Sequence, residues 1–266
     1  MPLTAAAQTE LRTLLRAFRA AHAGAVVPLA QGKALEAWVL MKLAQTVRRN
    51  LPSWTVTLRR GDGAPLPPGA VFALPDGGSQ IQASHPTAPC FVHLASRQGS
   101  HFDMELHGSL TWCGRSGATH ECDVSVVPAA IATALRTQGG GFPHGLPIAA
   151  VECKDKAGIG KLDETRQTLA RMFDLALVTQ PALGLPLARI FEDKTPSSWG
   201  RRMTTYVGFF ARGAFGIVRA GTFQTGARRL ASHYMILHHP RIYSDPFSMM
   251  GLEVNFRRAL SSVTRF

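Results

Sequence analysis

An apolar strand that ends in charged residues is the feature that most limits how this chain can fold. Residues 148–151 (IAAV) are followed directly by Glu152, Cys153 and Lys154. A short apolar run next to a loop rich in Gly and Pro predicts a buried strand. Because side chains alternate along a strand, Glu152 and Lys154 share one face, while Cys153 points to the other. The pattern therefore predicts a core strand that ends in a carboxylate and an ammonium.

The preceding strand supplies a second carboxylate. Residues 101–114 and 119–127 each alternate as strands do, and the Gly-Arg-Ser-Gly turn between them predicts a hairpin. Asp123 lies where the second strand changes from polar to apolar residues. If this strand neighbours the one that ends at Lys154, Asp123 and Glu152 converge. Two carboxylates at that separation repel unless a cation lies between them, and hard oxygen ligands favour Mg²⁺ or Mn²⁺.

A third acid lies on a helix predicted over residues 33–47. Glu36 is on the apolar face of that helix, with Val39, Leu40 and Leu43. An unpaired carboxylate on a buried face would cost several kcal/mol, so we expect it to have a partner such as a metal or another bound cation.

The remaining segments predict a single domain over residues 1–266, because neither a repeat nor a clear linker interrupts the chain. The order around the charged strand is helix, strand, strand, strand, helix, strand. The other predicted elements are an amphipathic helix over 4–22, Gly- and Pro-rich loops over 61–89 and 136–147, a helix over 161–177, strands over 204–212 and 214–221, and a helix over 245–263 with Asp245 as its N-cap.

The charge of the chain is strongly basic. Lys and Arg number 29 against 17 acids, which gives a formal net charge of +12. Guanidinium groups bind phosphate oxygens in pairs, so this balance favours a polyanionic partner such as nucleic acid. The alternative is a GC-rich genome, which encodes Arg and Ala freely. Arginine doublets recur along the chain, at 48–49, 59–60, 201–202, 228–229 and 257–258.

Composition also bears on the cellular setting. No apolar run approaches the roughly 20 residues of a membrane-spanning helix. The basic, amphipathic N-terminus lacks a secretory signal; a transit peptide is an alternative, but an ordinary helix capped at Thr4 fits it. The four cysteines form no CxxC pair and predict free thiols. We expect a cytoplasmic protein without a membrane partner.

Asp123, the triplet Glu152-Cys153-Lys154 and the upstream helix with Glu36 together resemble the PD-(D/E)XK nuclease superfamily, over about residues 33–220. The resemblance implies an α/β fold with a central mixed β-sheet flanked by helices. Its core would be the restriction-endonuclease-like αβββαβ arrangement, with the N-terminal helix 4–22 and the C-terminal segment 221–266 as additions.

The resemblance also implies a reaction and roles for the site residues. Asp123 and Glu152 would hold Mg²⁺ or Mn²⁺, Lys154 would help to deprotonate or orient the attacking water, and Glu36 would complete the catalytic set. The chain would then be a metal-dependent endonuclease that hydrolyses phosphodiester bonds of DNA. By analogy with the family, we expect double-stranded DNA as substrate, and a bacterial restriction or antiviral, phage-defence setting.

Two alternatives remain open. One is a non-catalytic nucleic-acid-binding or assembly module with the same fold, and the other is a nuclease that acts on RNA or branched DNA.

Cleavage of two strands usually requires two active sites, so a homodimer is also an expectation. The final helix carries one apolar stripe that would either form the dimer interface or pack on its own domain, and it consists of Leu252, Phe256, Leu260 and Val263.

Several polar residues near these positions are candidates for accessory roles. Glu121 shares a face with Asp123 and would lie just outside the metal ligands, or else in solvent. Arg166 and Gln167 are on the helix after Lys154. Arg166 falls on the side of Leu162 and Leu169, so an inward guanidinium and an exposed one are both open. Two lysines after the charged strand are candidates for contacts with the nucleic-acid backbone or for a solvated loop, namely Lys156 and Lys161.

Overall fold

The computed structural model describes residues 5–10, 13–14, 33–67, 70–75, 77–97, 102–114, 116–176 and 214–261. Residues 5–10 and 13–14 are helical. The elements that follow are α1 (Ala34–Asn50), β1 (Trp54–Arg59), β2 (Ile81–Gln82), β3 (Phe91–Ser96), β4 (Met104–Cys113), β5 (Thr119–Pro128), α2 (Ala129–Thr137), β6 (Gly140–Gly141), β7 (Ala149–Lys154), α3 (Leu162–Ala176), β8 (Ala214–Arg219), α4 (Thr225–His233), β9 (Leu237–His239) and α5 (Pro246–Ser261).

The centre of the fold is a seven-stranded mixed sheet with the order β1-β3-β4-β5-β7-β8-β9. The strands from β1 to β7 pair antiparallel, and β7, β8 and β9 pair parallel. A second, two-stranded sheet joins β2 to β6. The predicted α/β class, with a mixed central sheet flanked by helices, is confirmed.

Helix α1 is buried on almost every side, because it contacts strands of the central sheet as well as α5. Leu35, Val39 and Leu43 have no exposed surface, and the helix continues three residues beyond the predicted end at Val47. Glu36 lies in its first turn, so burial of the helix start also buries this carboxylate. The start of α1 therefore places the Glu36 carboxylate against the central sheet.

Helix α5 begins as predicted. Asp245 caps it by accepting hydrogen bonds from the Phe247 amide at 3.0 Å and the Ser248 hydroxyl at 3.1 Å. Its predicted apolar stripe lies inside the chain's own hydrophobic core, where Leu252, Phe256 and Leu260 are buried. These three side chains therefore pack on their own domain and are not free to form a dimer interface. Val263 lies outside the described residues.

The structure corrects the sequence analysis in several segments. The predicted Gly-rich loop 136–147 is partly regular, because α2 extends to Thr137 and Gly140–Gly141 pairs with β2. The segment 221–266, expected as a helical addition, also contributes β9 to the central sheet. The strand predicted over 204–212 and most of the helix predicted over 4–22 lie outside the described residues. Elements that the sequence analysis did not assign are β1, β3, α2, α4 and β9.

The four cysteines are all free thiols, as predicted. Among the helices that the structure describes, none is both long and apolar enough to cross a bilayer. Buried side chains from residue 7 to residue 260 join one large hydrophobic cluster, and a smaller cluster lies around Ile217 and Phe223.

Candidate active site

Asp123 and Glu152 lie opposite each other on neighbouring strands. β5 and β7 pair antiparallel with Val124 opposite Val151, and one more step of this register places Asp123 opposite Glu152. The Asp123 carboxylate accepts a hydrogen bond from the Cys153 amide at 2.6 Å, so the side chain reaches across to β7. The two acids therefore lie on neighbouring strands at the end of β7, close enough for the charge of Glu152 to act on Asp123.

The surroundings of Asp123 disfavour its charge. Burial raises the pKa of Asp123 to about 7, with further contributions from the charges of Glu152 and Glu36, in that order. The Cys153 amide and Lys154 act in the opposite direction but do not cancel the increase. Near neutral pH this carboxyl group is therefore only partly ionised in the absence of an added cation.

Glu152 is buried and each of its oxygens binds a cation. Lys154, two residues along the same strand face, donates to one oxygen, and Arg171 of α3 donates to the other at 3.0 Å. Burial alone would lower the pKa of Lys154, but the charge and hydrogen bond of Glu152 outweigh it and leave the pKa raised. Lys154 is therefore an ammonium at neutral pH, able to donate hydrogen bonds and to stabilise negative charge.

Glu36 has the partner that its burial predicts, and that partner is a side-chain cation. Its carboxylate accepts hydrogen bonds from Ser109 at 2.7 Å and from Lys33, the residue before α1, at 3.1 Å and 3.2 Å. Burial raises the pKa of Glu36, although Ser109 and Lys33 act against the increase. The acid on α1 is thus held by a hydroxyl of β4 and an ammonium.

Ser109 adopts a backbone conformation that is rare outside glycine, with φ of 46°. Its carbonyl accepts a hydrogen bond from the Ser79 amide at 2.9 Å, and the Ser79 carbonyl accepts one from Thr111 at 2.9 Å. The left-handed conformation costs about 1–2 kcal/mol for a residue with a Cβ atom. Such strain is concentrated at functional sites, and here it accompanies the contact between Ser109 and Glu36.

Of the remaining candidates, one acid lies near the site and two lysines lie on an exposed segment. Glu121 is near the site: it forms an ion pair with Lys33 at 3.5 Å, and a Cβ atom at Gly78 would lie 3.0 Å from its carboxylate. Lys156 and Lys161 are exposed on the segment between β7 and α3. Their contacts with a nucleic-acid backbone stay a prediction.

Arg166 and Gln167 do not face the site. The Arg166 side chain is 62% exposed and pairs with Asp163 at 3.0 Å, and Gln167 is also exposed. Of the two positions left open for Arg166, the exposed one is correct, because the buried side of α3 is centred on other residues, Thr165, Thr168, Met172 and Leu175. Leu162 and Leu169, which suggested the inward side, are only half-buried.

Three residues at the site were missed by the sequence analysis, namely Lys33, Ser109 and Arg171. A Lys three residues before a Glu is a recognisable helical pair, so the contact of Lys33 with Glu36 had a sequence signal. Arg171 follows the buried Thr168 by three residues, which places it beside the inward face of α3. The contact of Ser109 depends on a backbone conformation that no local pattern indicates.

The oxygen donors at this site fit a hard divalent ion. Among the described residues, no group of three or more His, Cys, Asp and Glu side chains is arranged to hold a metal. Mg²⁺, however, is commonly bound through one or two carboxylates and completed by water and substrate oxygens. Asp123 and Glu152 provide two such carboxylates, and a cation between them would offset the repulsion that contributes to the raised pKa of Asp123.

Comparison with known proteins adds no assignment. No protein-family model matches the chain, and neither a curated protein nor a solved structure matches it significantly.

Proposed function

We propose that this chain is a metal-dependent nuclease of the PD-(D/E)XK type. The observation that carries the proposal is the position of Asp123 opposite Glu152, with Lys154 bound to Glu152 from the same strand face. The chain order also supports it. Helix α1 precedes three strands that pair antiparallel (β4, β5 and β7), and α3 then connects β7 to the parallel strand β8. With β1, β2 and β3 as additions before β4, and α2 and β6 between β5 and β7, this order is compatible with the αβββαβ core that the resemblance implies.

The reaction would be hydrolysis of a phosphodiester bond. A divalent ion held by Asp123 and Glu152 would supply Lewis-acid stabilisation of the phosphoryl oxygens and a more acidic attacking water. Lys154 is charged and faces this point, so it would donate a hydrogen bond to the attacking water or to a phosphate oxygen and stabilise the charge of the transition state. Arg171 orients Glu152 through its second oxygen.

The raised pKa of Asp123 makes assembly of the site dependent on pH. The carboxyl group must be ionised before it can bind a cation, and the hydrogen bond from the Cys153 amide would then hold the ionised side chain in place. Glu36 lies close enough to contribute to the raised pKa of Asp123, which supports its place in the catalytic set.

Double-stranded DNA is the substrate that we propose. The net charge of +12 favours a polyanion, and the exposed Lys156 and Lys161 follow Lys154 on the segment that leaves the end of β7. RNA and branched DNA share the same phosphate chemistry, so the experiment must separate them. The non-catalytic alternative is less well supported, because Asp123, Glu152 and Lys154 all keep side chains that the reaction would use, and the charge of Glu152 contributes to the raised pKa of Asp123.

The test is a cleavage panel. Purified protein is incubated with plasmid, linear duplex, single strand, a junction and RNA, each with Mg²⁺, with Mn²⁺ and with chelator. We expect metal-dependent cleavage of duplex DNA. Lys154→Ala should abolish cleavage but retain folding and metal binding. Arg166→Ala, on the exposed side of α3, should retain cleavage.

Three outcomes would count against the proposal. Full activity in Lys154→Ala would remove the role of Lys154. Cleavage of RNA or junctions alone would change the substrate class. Binding of DNA without cleavage under every metal condition would favour the non-catalytic module.

A further inference from the structure

Lys33 is surrounded by oxygen atoms within the candidate active site. Its ammonium nitrogen lies 3.2 Å and 3.1 Å from the two Glu36 oxygens, 2.7 Å from the Ser109 hydroxyl and 3.5 Å from a Glu121 oxygen. The side chain is only 18% exposed. A lysine ammonium has three donors and no acceptor, so these oxygens use its full hydrogen-bonding capacity.

The positive charge of Lys33 interacts with Glu36 and Glu121 and also with Asp123, one of the two proposed metal ligands. Burial would lower the pKa of Lys33, but the charges of Glu36, Glu121 and Asp123, with the Glu36 hydrogen bond, leave it raised. The amine is therefore a permanent positive charge. It lies between one acid from α1 and one from β5, and the acid from β5, Glu121, shares its strand face with Asp123.

The oxygen set around Lys33 is of the kind that a divalent ion uses. Two carboxylates and a hydroxyl are hard ligands, which suit Mg²⁺ or Mn²⁺. An ammonium and a metal ion cannot share that position, because the Lys33 nitrogen already occupies the point that these oxygens surround. Nucleases that use two ions hold them about 3.5–4 Å apart, so a second ion would need a cluster of this kind beside the first.

We propose that Lys33 takes the place of a second divalent ion, so that this site binds a single ion between Asp123 and Glu152. This inference rests on the proposed function, because it assumes that the first ion binds there. Lys33 is a positioning residue in this account: it holds Glu36 and Glu121 neutralised and keeps a second ion out. Ser109 completes the arrangement by accepting from Lys33 and donating to Glu36.

Removal of the amine should open the second position. In Lys33→Met, Glu36 retains the Ser109 hydroxyl but loses its cation, and Glu121 loses its ion pair. A buried carboxylate without a cation is unfavourable, so a divalent ion is expected to enter in place of the amine. The number of ions bound by each chain should rise from one to two.

The experiment is a titration of metal-free protein with Mn²⁺ at pH 8, in which bound ions are counted by calorimetry and by the electron paramagnetic resonance signal of free Mn²⁺. Wild type and Arg166→Met, a control with an exposed cation that does not face the site, should each bind one ion. Lys33→Met should bind two. Circular dichroism establishes that each variant is folded. Lys33→Gln, which keeps a donor toward Glu36, makes the same test if the methionine variant does not fold.

The outcomes separate this inference from the proposed function. Two ions in wild type, or one ion in folded Lys33→Met and Lys33→Gln, would overturn the inference but leave a metal nuclease in place. No ion in wild type would overturn the proposed metal site itself. The wild-type count needs no variant, so the inference can be tested even if substitutions at Lys33 prevent folding.

Discussion

Replacement of Asp123 by asparagine is expected to stabilise the metal-free protein more as the pH rises. The pKa of Asp123 is raised from 3.8 to about 7, mainly by burial and then by the charges of Glu152 and Glu36. A carboxyl group with a raised pKa holds its proton in the folded protein at a pH where the unfolded chain has lost it. Folding stability therefore falls as the pH rises between these two values, and asparagine removes this loss.

The magnitude follows from the pKa values. Each pH unit in this window costs about 1.36 kcal/mol, so the interval from pH 5 to pH 7 costs wild type about 2.7 kcal/mol. Above pH 7 both states are ionised and the loss is complete. The difference in unfolding free energy between Asp123→Asn and wild type should thus move by about 2.7 kcal/mol in favour of the variant between pH 5 and pH 8.

The assay is urea denaturation in chelator at pH 5 and pH 8, with Asp163→Asn as control. The comparison of two pH values cancels contributions that do not depend on pH, such as a changed hydrogen bond with the Cys153 amide. Asp163 is 72% exposed, so its variant should differ from wild type by the same small amount at both pH values. A difference for Asp123→Asn that is also the same at both pH values would refute the reasoning, because the carboxyl group would then not experience burial and the neighbouring charges.

Mn²⁺ at 100 times its Kd should stabilise wild type at pH 8 by about 2.7 kcal/mol, but not Asp123→Asn.

Three further predictions concern the packing and the backbone of the fold. Ser109→Gly should be more stable than Ser109→Ala by about 1 kcal/mol in urea denaturation. Both variants lose the hydroxyl, but only glycine adopts the φ of 46° without strain. Equal stability of the two variants would argue against the left-handed conformation. Gly221→Ala should lower the unfolding free energy by about 1–3 kcal/mol, because its Cβ atom would lie 2.3 Å from the carbonyl oxygens of Ala157 and Gly158. Gly226→Ala, in open space on α4, should not be destabilising. Phe256→Ala should cost about 3–5 kcal/mol with an unchanged elution volume in size-exclusion chromatography, because the fully buried ring packs within its own chain; a change of oligomeric state would place it at an interface.

The pairing of Asp123 with Glu152 was accessible from the sequence because it depends on local patterns. Alternation fixes which face each side chain takes, and strands that follow one another along the chain are often neighbours in the sheet. The register then follows from burial, since a shift by one residue would expose the apolar positions Val124 and Val151. The helical acid Glu36 was found by the same kind of argument, from a charge on an apolar face.

The buried face of α3 could not be predicted from such local patterns. The sequence analysis followed leucines, but two threonines are at the centre of the buried face. Thr168 donates to the Glu164 carbonyl at 3.1 Å, and Thr165 bonds to His238 at 3.2 Å, so each buried hydroxyl is satisfied. The contacts of Lys33 with Ser109 and Glu121 join residues far apart in sequence, and only the folded sheet brings them together.

The most direct test of the account is the position of Mn²⁺ in crystals of the protein grown or soaked at pH 8, determined from anomalous diffraction. The account predicts one peak per chain, at bonding distance from carboxylate oxygens of both Asp123 and Glu152, with Lys33 still bound to Glu36. A peak that avoids these two carboxylates, or no peak at a concentration that saturates binding in solution, would contradict it.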